Sequence, residues 1–501
     1  KVHFGRRLVF GFVTLLRMRS EEFIEQGQPI PPEADQRVME IELFAEGIWQ
    51  GANETLKFTR GVSTYPLPRQ GVYLLTRDEA IDLYKSAEGQ IHNGAIDPLV
   101  PFATYVGADS AQCRANIDKM FGMHCAILGS TGSGKSGAVA ALLHSVLEHK
   151  PNGTDLCRPR IVILDPHGEY GQAFGERAVV YRAYDPIGHE QAQGESIKLP
   201  YWLMSADEFR SLAIGKTEFE ATSQNNVIYK AMTYARLVAA GLVNPSPTNY
   251  GGAAPVDGGN PDDPRPKEGV EAQAIVEFDR DKPRPFSLDE LINHITYLQG
   301  ARVSKTNTLE RIPDGDFTKN FKSILDKLAI LRRDPRINFL MANWDADAPT
   351  LSEVLTQFIS NPQTGDNKKK DIRILDISGL PNEVAGPLAG MLARLLFQYK
   401  LYQTSDERKK DPILLVCEEA HRYVPDRGEA EYATAQIAIR RIAREGRKYG
   451  LSLMLVSQRP QGLRTRNRYC RNRPFCTNFR QKSIKKVPVK RGDLPVFEMP
   501  E

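Results

Sequence analysis

Residues 124–149, HCAILGSTGSGKSGAVAALLHSVLEH, limit what this chain can fold into more than any other stretch. Cys125 to Leu128 have the length and apolar composition of a buried parallel strand, Gly129 to Ser136 match the pattern G-x-x-x-x-G-K-[ST], and Ala138 to Leu147 are patterned as a helix. A strand, a glycine-rich turn and a helix in that order gather backbone N–H groups and the positive helix end around one point. The loop Gly129, Ser130, Thr131, Gly132, Ser133, Gly134, Lys135, Ser136 is thus an anion cradle. In it Lys135 reaches the β- and γ-phosphates and Ser136 offers its hydroxyl to Mg²⁺. Its expected guest is a nucleoside triphosphate.

A second apolar run, Arg160 to Asp165 (RIVILD), also ends in a carboxylate. Strands alternating with helices predict an α/β fold with a mainly parallel sheet and ligands at the strand C-termini. Upstream, residues 1–105 carry β-type segments at Arg7 to Leu16, Val38 to Phe44, Leu56 to Thr59 and Gly71 to Thr76, the pattern of a small β-barrel or sandwich. Residues 205–345 read mostly as helix, with capping boxes at Ser205/Glu208 and Ser287/Glu290. Between those boxes residues 244–284 are dense in Pro, Gly and Asp and read as a mobile insertion. The α/β pattern resumes at Ile372 to Ile377 and runs through the helix Val384 to Tyr402 to Ile413 to Cys417. The expected domains are 1–105, 106–204 with 346–460 as one core, 205–345 as a helical insertion, and a basic tail at 461–501.

The 501 residues leave room for about two to four domains. The net charge of +4 is uneven: Gln461 to Gly492 hold 11 Lys/Arg and no acid, so residues 1–460 keep 55 of the 66 basic and 59 of the 62 acidic groups. That basic run either contacts nucleic acid or is a solvated end. Six cysteines, Cys113, Cys125, Cys157, Cys417, Cys470 and Cys476, lack zinc-type spacing and fit reduced, cytosolic thiols. The longest apolar stretches are strand-sized, so no membrane span is expected. Lys1 rather than Met opens the chain, and the expectation is that its original start is missing.

ILLVCEEAHRYVP, Ile413 to Pro425, is an apolar strand ending in two adjacent acids. In a P-loop enzyme one acid there supports the Mg²⁺ shell and the next polarises the attacking water, which assigns Glu418 to the metal and Glu419 to the water. Asp is usual on the metal side, so the longer arm of Glu418 has to fold back or act through a water. Next, Tyr432 to Tyr449 has two faces. Ile439, Ile442, Ala443 and Gly446 follow helical spacing, and Arg440, Arg444 and Arg447 fall elsewhere on the cylinder. The arginine stripe is either a solvated basic face or a finger reaching the γ-phosphate of a neighbouring subunit. Leu451 to Val456 is a further strand, followed by Ser457 and Gln458; an amide there suits a sensor of the γ-phosphate or water. Asp165 and Glu169 are second-tier candidates, and His167 reads as structural.

The ordered set AILGSTGSGKS, ILDPHGEY, LPYWLMSADEF, VCEEAHRY, RIAREGRKYG and LVSQRP resembles the HerA branch of the HerA/FtsK superfamily of DNA-pumping ATPases, over about residues 1–460. RGVSTYPLP and the strands before it look like the later part of that family's small N-terminal barrel. The resemblance implies a RecA-like P-loop core with an incomplete N-terminal barrel and a helical insertion. It also implies a cytoplasmic homohexameric ring threading double-stranded DNA, with ATP and Mg²⁺ between subunits. Family roles carry over to Lys135 and Ser136, to Glu418 and Glu419, to Gln458 as sensor, and to Arg444, with Arg447 behind it, as the finger supplied in trans. The partners it implies are a nuclease or an NAD-hydrolysing sirtuin-like effector. The function expected is an ATP-hydrolysing DNA translocase or helicase in DNA end processing or antiviral defence. The alternative is a nucleotide-regulated assembly platform for an antiviral effector that does not move DNA. Residues 461–490 depart from the family pattern, as a shifted reading frame or a replaced terminus would.

Overall fold

The structure, a computed structural model, describes residues 1–18, 20–32, 37–50, 55–67, 70–88, 98–104, 112–150, 159–184, 194–214, 222–248, 259–260, 263–303, 309–342, 344, 348–359, 371–424 and 433–458. The basic tail, Arg459 and Pro460, Cys157, Cys470 and Cys476 lie outside these residues, as does part of 244–284. The chain divides into two compact units, one over Lys1–Ile117 and one that begins at Asp118 and holds the sheet and helices of the rest.

In the first unit β1 (Val2–Phe4), β2 (Arg7–Met18), β3 (Arg37–Gln50) and β4 (Thr55–Arg60) form an antiparallel sheet in chain order. Helix α1 (Arg77–Glu88) sets Leu83 into the core made by Leu8, Phe10 and Ala45. Ala80, one turn earlier, packs against Cys113 of the hairpin β5 (Leu99–Thr104) and β6 (Gln112–Asn116). Among the described residues the strands thus form a four-stranded antiparallel sheet and a separate hairpin, with the single helix α1 against both. Gly71–Thr76 is no strand: it makes one isolated bridge, Val2 to Val72, and then ends in a capping box. Thr76 N donates to Glu79 Oε2 at 2.9 Å and Glu79 N to Thr76 Oγ1 at 3.3 Å, which starts α1 instead of continuing an extended chain.

The second unit is built on a seven-stranded, wholly parallel sheet. Its strands are β7 (Cys125–Leu128), β8 (Arg160–Asp165), β9 (Ala178–Arg182), β10 (Glu195–Ser196), β11 (Ile372–Asp376), β12 (Ile413–Cys417) and β13 (Leu451–Ser457), ordered β10-β9-β11-β8-β12-β13-β7. Central strands of such a sheet are covered on both faces, which is why Ile161 to Leu164 and Ile413 to Cys417 read as unbroken apolar runs and are buried. Strand β7 pairs only with β13 among the described residues. Helix α2 (Lys135–Glu148) buries Val139, Leu142, Leu143, Val146 and Leu147, one stripe of its surface.

The helices of residues 205–341 share one continuous core with the sheet. Phe209 and Leu212 of α3 (Ala206–Ile214), Ile228 and Met232 of α4 (Thr222–Ala239), and Leu291 of α5 (Leu288–Asn293) belong to it. So do Leu328 of α6 (Ser323–Arg333), Leu392 and Leu396 of α7 (Asn382–Tyr402), and Val162 and Leu164 of β8. The Ser205/Glu208 capping box is complete, with bonds of 2.9 and 3.3 Å. The one at Ser287 is half made: Ser287 accepts from Glu290 N, but the buried Glu290 carboxylate accepts from Ser246 N at 2.9 Å instead of reaching back to its own cap. That bond fastens part of the segment expected to be mobile. Lys267 N to Leu242 O, 2.9 Å, and Arg236 Nη1 to Arg280 O, 2.5 Å, fasten more of it. Finally α8 (Ala433–Tyr449) buries Ile439, Ile442 and Gly446 as expected, while Ala443 falls outside the packed stripe and is exposed.

Candidate active site

The expected loop lies between β7 and α2. Gly132 and Gly134 hold φ of 79° and 76°, a left-handed conformation that side chains resist, and this turns the chain tightly enough to start α2 directly at Lys135. Gly134 caps α2 with no side-chain hydrogen bond, so the first N–H groups of that helix carry no side-chain acceptor. Lys135 is buried and donates to Ser130 O at 3.0 Å, leaving donors of its ammonium for a further acceptor. An uncapped helix start beside a buried ammonium fits a bound polyphosphate.

Two neighbouring strands end at the same place. Glu418 and Glu419 follow β12, and Gln458 follows β13, which pairs with both β12 and β7. Thr131 Oγ1 donates to Gln458 Oε1 at 2.6 Å, and Gln458 Nε2 donates to Glu419 Oε1. One hydrogen-bonded chain thus joins the loop to the second strand's acid. Glu419 is buried and left-handed, with φ 49°, rare for a residue with a side chain. Its Oε2 makes no hydrogen bond and lies 3.0 Å from His421 Nδ1, which also faces Ser457 Oγ at 3.3 Å.

Glu418 points to the other side. Tyr170 donates its O–H to Glu418 Oε2 at 2.7 Å. Burial pushes the Glu418 carboxyl above the usual range, and the charges of Glu419 and Asp165 push the same way, against Tyr170 and Lys135. Burial and Glu418 likewise hold the Tyr170 phenol far above its ordinary value, so it stays a donor. Asp165 is fully buried and accepts from the backbone N–H of His167, Gly168 and Tyr170 at 3.1, 2.9 and 2.9 Å. It therefore organises the DPHGEY turn, and His167 and Glu169 are exposed.

Among the described residues no group of three or more His, Cys, Asp or Glu is arranged to hold a metal. A divalent cation at this end of the sheet would have the Ser136 hydroxyl and the Glu418 carboxylate, with its other positions left to water and phosphate, the usual habit of Mg²⁺. The excess of buried carboxylate over ammonium fits a cation.

Lys135, Ser136, Glu418, Glu419 and Gln458 converge, whereas Arg444 and Arg447 stand exposed on α8. Tyr170, His421 and Ser457 were not singled out from sequence. Tyr170 and His421 lie inside ILDPHGEY and VCEEAHRY, and the signal that marks them is a polar ring a few residues past a strand-ending acid.

The chain is 23% identical over 387 residues to a probable DNA double-strand break repair helicase HerA of Methanocaldococcus jannaschii, covering 71% of this chain and 61% of that protein. It is 25% identical over 342 residues to the DNA double-strand break repair helicase HerA of Sulfolobus acidocaldarius, covering 68% and 52%. The chain thus spans between half and two thirds of these curated relatives. Among solved structures it is similar to VirB4 of Thermoanaerobacter pseudethanolicus, at 15% identity and a TM-score of 0.39 over 74% of this chain and 78% of that one. The family model for the central domain of helicase HerA matches residues 104–396, more than half of the chain, and the chain belongs to that family.

Proposed function

We propose that this chain is an ATP-hydrolysing, ring-forming translocase or helicase that moves double-stranded DNA in the cytoplasm, working with a partner nuclease or effector in DNA end processing or antiviral defence. The observation that carries the reading is the hydrogen-bonded path from the phosphate loop through Thr131 and Gln458 to Glu419. Lys135 and the N–H groups at the start of α2 bind the β- and γ-phosphates of ATP. Mg²⁺, when bound beside Ser136 and Glu418, neutralises charge on those phosphates. Glu419 accepts the proton of the water whose oxygen bonds to the γ-phosphorus as the bond to the β-phosphate oxygen breaks. Gln458 holds that carboxylate and senses the γ-phosphate. Arg444, with Arg447 behind it, is supplied by the neighbouring protomer of a hexamer and offsets charge developing in the transition state.

The test is ATP turnover by the purified chain with and without duplex DNA. Turnover that rises with DNA supports the reading, and no stimulation in any oligomeric state overturns the motor. Lys135→Ala should abolish turnover. Glu419→Gln should keep nucleotide binding and slow hydrolysis by about 10²–10⁴-fold, the contribution of a positioned general base. If Glu419→Gln stops hydrolysis while the partner's activity survives, the ring is an assembly platform instead.

A further inference from the structure

We propose that Tyr170 is a positioning residue for the divalent cation, fixing the Glu418 carboxylate that faces it. The proposal rests on the reading above that Ser136 and Glu418 face that cation. A phenol carries one proton and two lone pairs. Because Tyr170 donates to Glu418 Oε2 at 2.7 Å, that carboxylate oxygen is anchored. Glu418 keeps Oε1 for a cation. One side chain thus sets the direction of the carboxylate.

The phenol is itself held in place. Tyr170 is 1% exposed, its backbone N–H donates to Asp165 Oδ2 at 2.9 Å, and its ring lies parallel to that of Phe174 at 6.2 Å. Asp165 also accepts from the backbone N–H of His167 and Gly168, so the turn that carries Tyr170 is clamped to the end of β8. This explains why glutamate serves where aspartate is usual. The extra methylene lets the far oxygen reach the phenol, and that anchor fixes the reach of the other. An aspartate at 418 would be too short to keep both.

The experiment measures equilibrium binding of a fluorescent ATP analogue to the whole chain across a Mg²⁺ series and in EDTA, together with thermal melting in EDTA. Tyr170→Phe should raise the Mg²⁺ midpoint by about tenfold or more, the usual effect of removing a partner behind a metal ligand, while binding in EDTA stays unchanged. Glu418→Gln should raise the midpoint as well. If Tyr170→Phe lowers melting and weakens binding in EDTA with the midpoint unmoved, the phenol is a packing group and the proposal is overturned, while the Glu418→Gln shift keeps the reading of the site. If neither variant moves the midpoint, that reading falls and the proposal with it. Should Tyr170→Phe fail to fold, Glu418→Asp decides: a raised midpoint supports the tether, and an unmoved one overturns it.

Discussion

Glu419 holds a left-handed backbone conformation that costs a residue with a side chain about 1–2 kcal/mol. Its carboxylate is held by the Gln458 amide while its second oxygen accepts no hydrogen bond. With one oxygen on the Gln458 amide and the other beside His421, the strained residue is held in a single orientation. Gln458→Ala removes the amide from both Glu419 and Thr131 and should slow turnover by about 10²-fold, the scale of losing one preorganised donor. Steady-state kinetics would show that loss mainly in kcat, because Lys135, with its bond to Ser130 O, and the start of α2 keep their places. Each of these residues was legible from sequence because each follows an apolar run. Their contact was not, since it depends on β12 and β13 being neighbours in the sheet. Tyr170 was out of reach for the same reason: it meets Glu418 across 248 residues of sequence.

At the scale of elements, α5 runs on into a wider helical turn over His294–Gln299, and this carries His294 into the core. Its ring is fully buried, stacked on Tyr234 at 4.5 Å between centroids, and neither ring nitrogen has a hydrogen bond. Burial, helped by the charge of Lys230, lowers its pKa from 6.5 to about 3. The unfolded chain therefore binds a proton below about pH 6.5 that the native chain refuses. The stabilisation is complete above that pH and is lost as pH falls toward 3, amounting to about 2 kcal/mol at pH 5. Urea midpoints at pH 7.5 and pH 5 should differ less in His294→Leu than in the parent chain. Periodicity alone located most of these helices and the sheet. It failed at Gly71–Thr76, where β-type residues lead straight into the Thr76/Glu79 box and the cap prevails over the propensity. At Ser287 it found the cap but not the competing donor, Ser246 N, which only tertiary packing supplies.

For the whole molecule, the proposed seam makes a prediction that no single protomer can meet. Lys135→Ala and Arg444→Ala should each be inactive, yet an equal mixture should regain turnover, because about one seam in four then pairs an intact Lys135 with an intact Arg444. Turnover against mixing ratio checks this, and a flat line at zero removes Arg444 from the site. How those arginines bear on the nucleotide follows from the path of the chain. Helix α8 ends at Tyr449 and β13 starts at Leu451, with Gly450 alone between them. That strand lies between β12 and β7 and runs into Gln458. A linkage one residue long has no slack, so a tug on the guanidinium side of α8 would be felt at the strand that braces the phosphate loop and at the amide that holds Glu419. Neighbouring protomers would then exchange force along a single stiff rod, without needing a hinge.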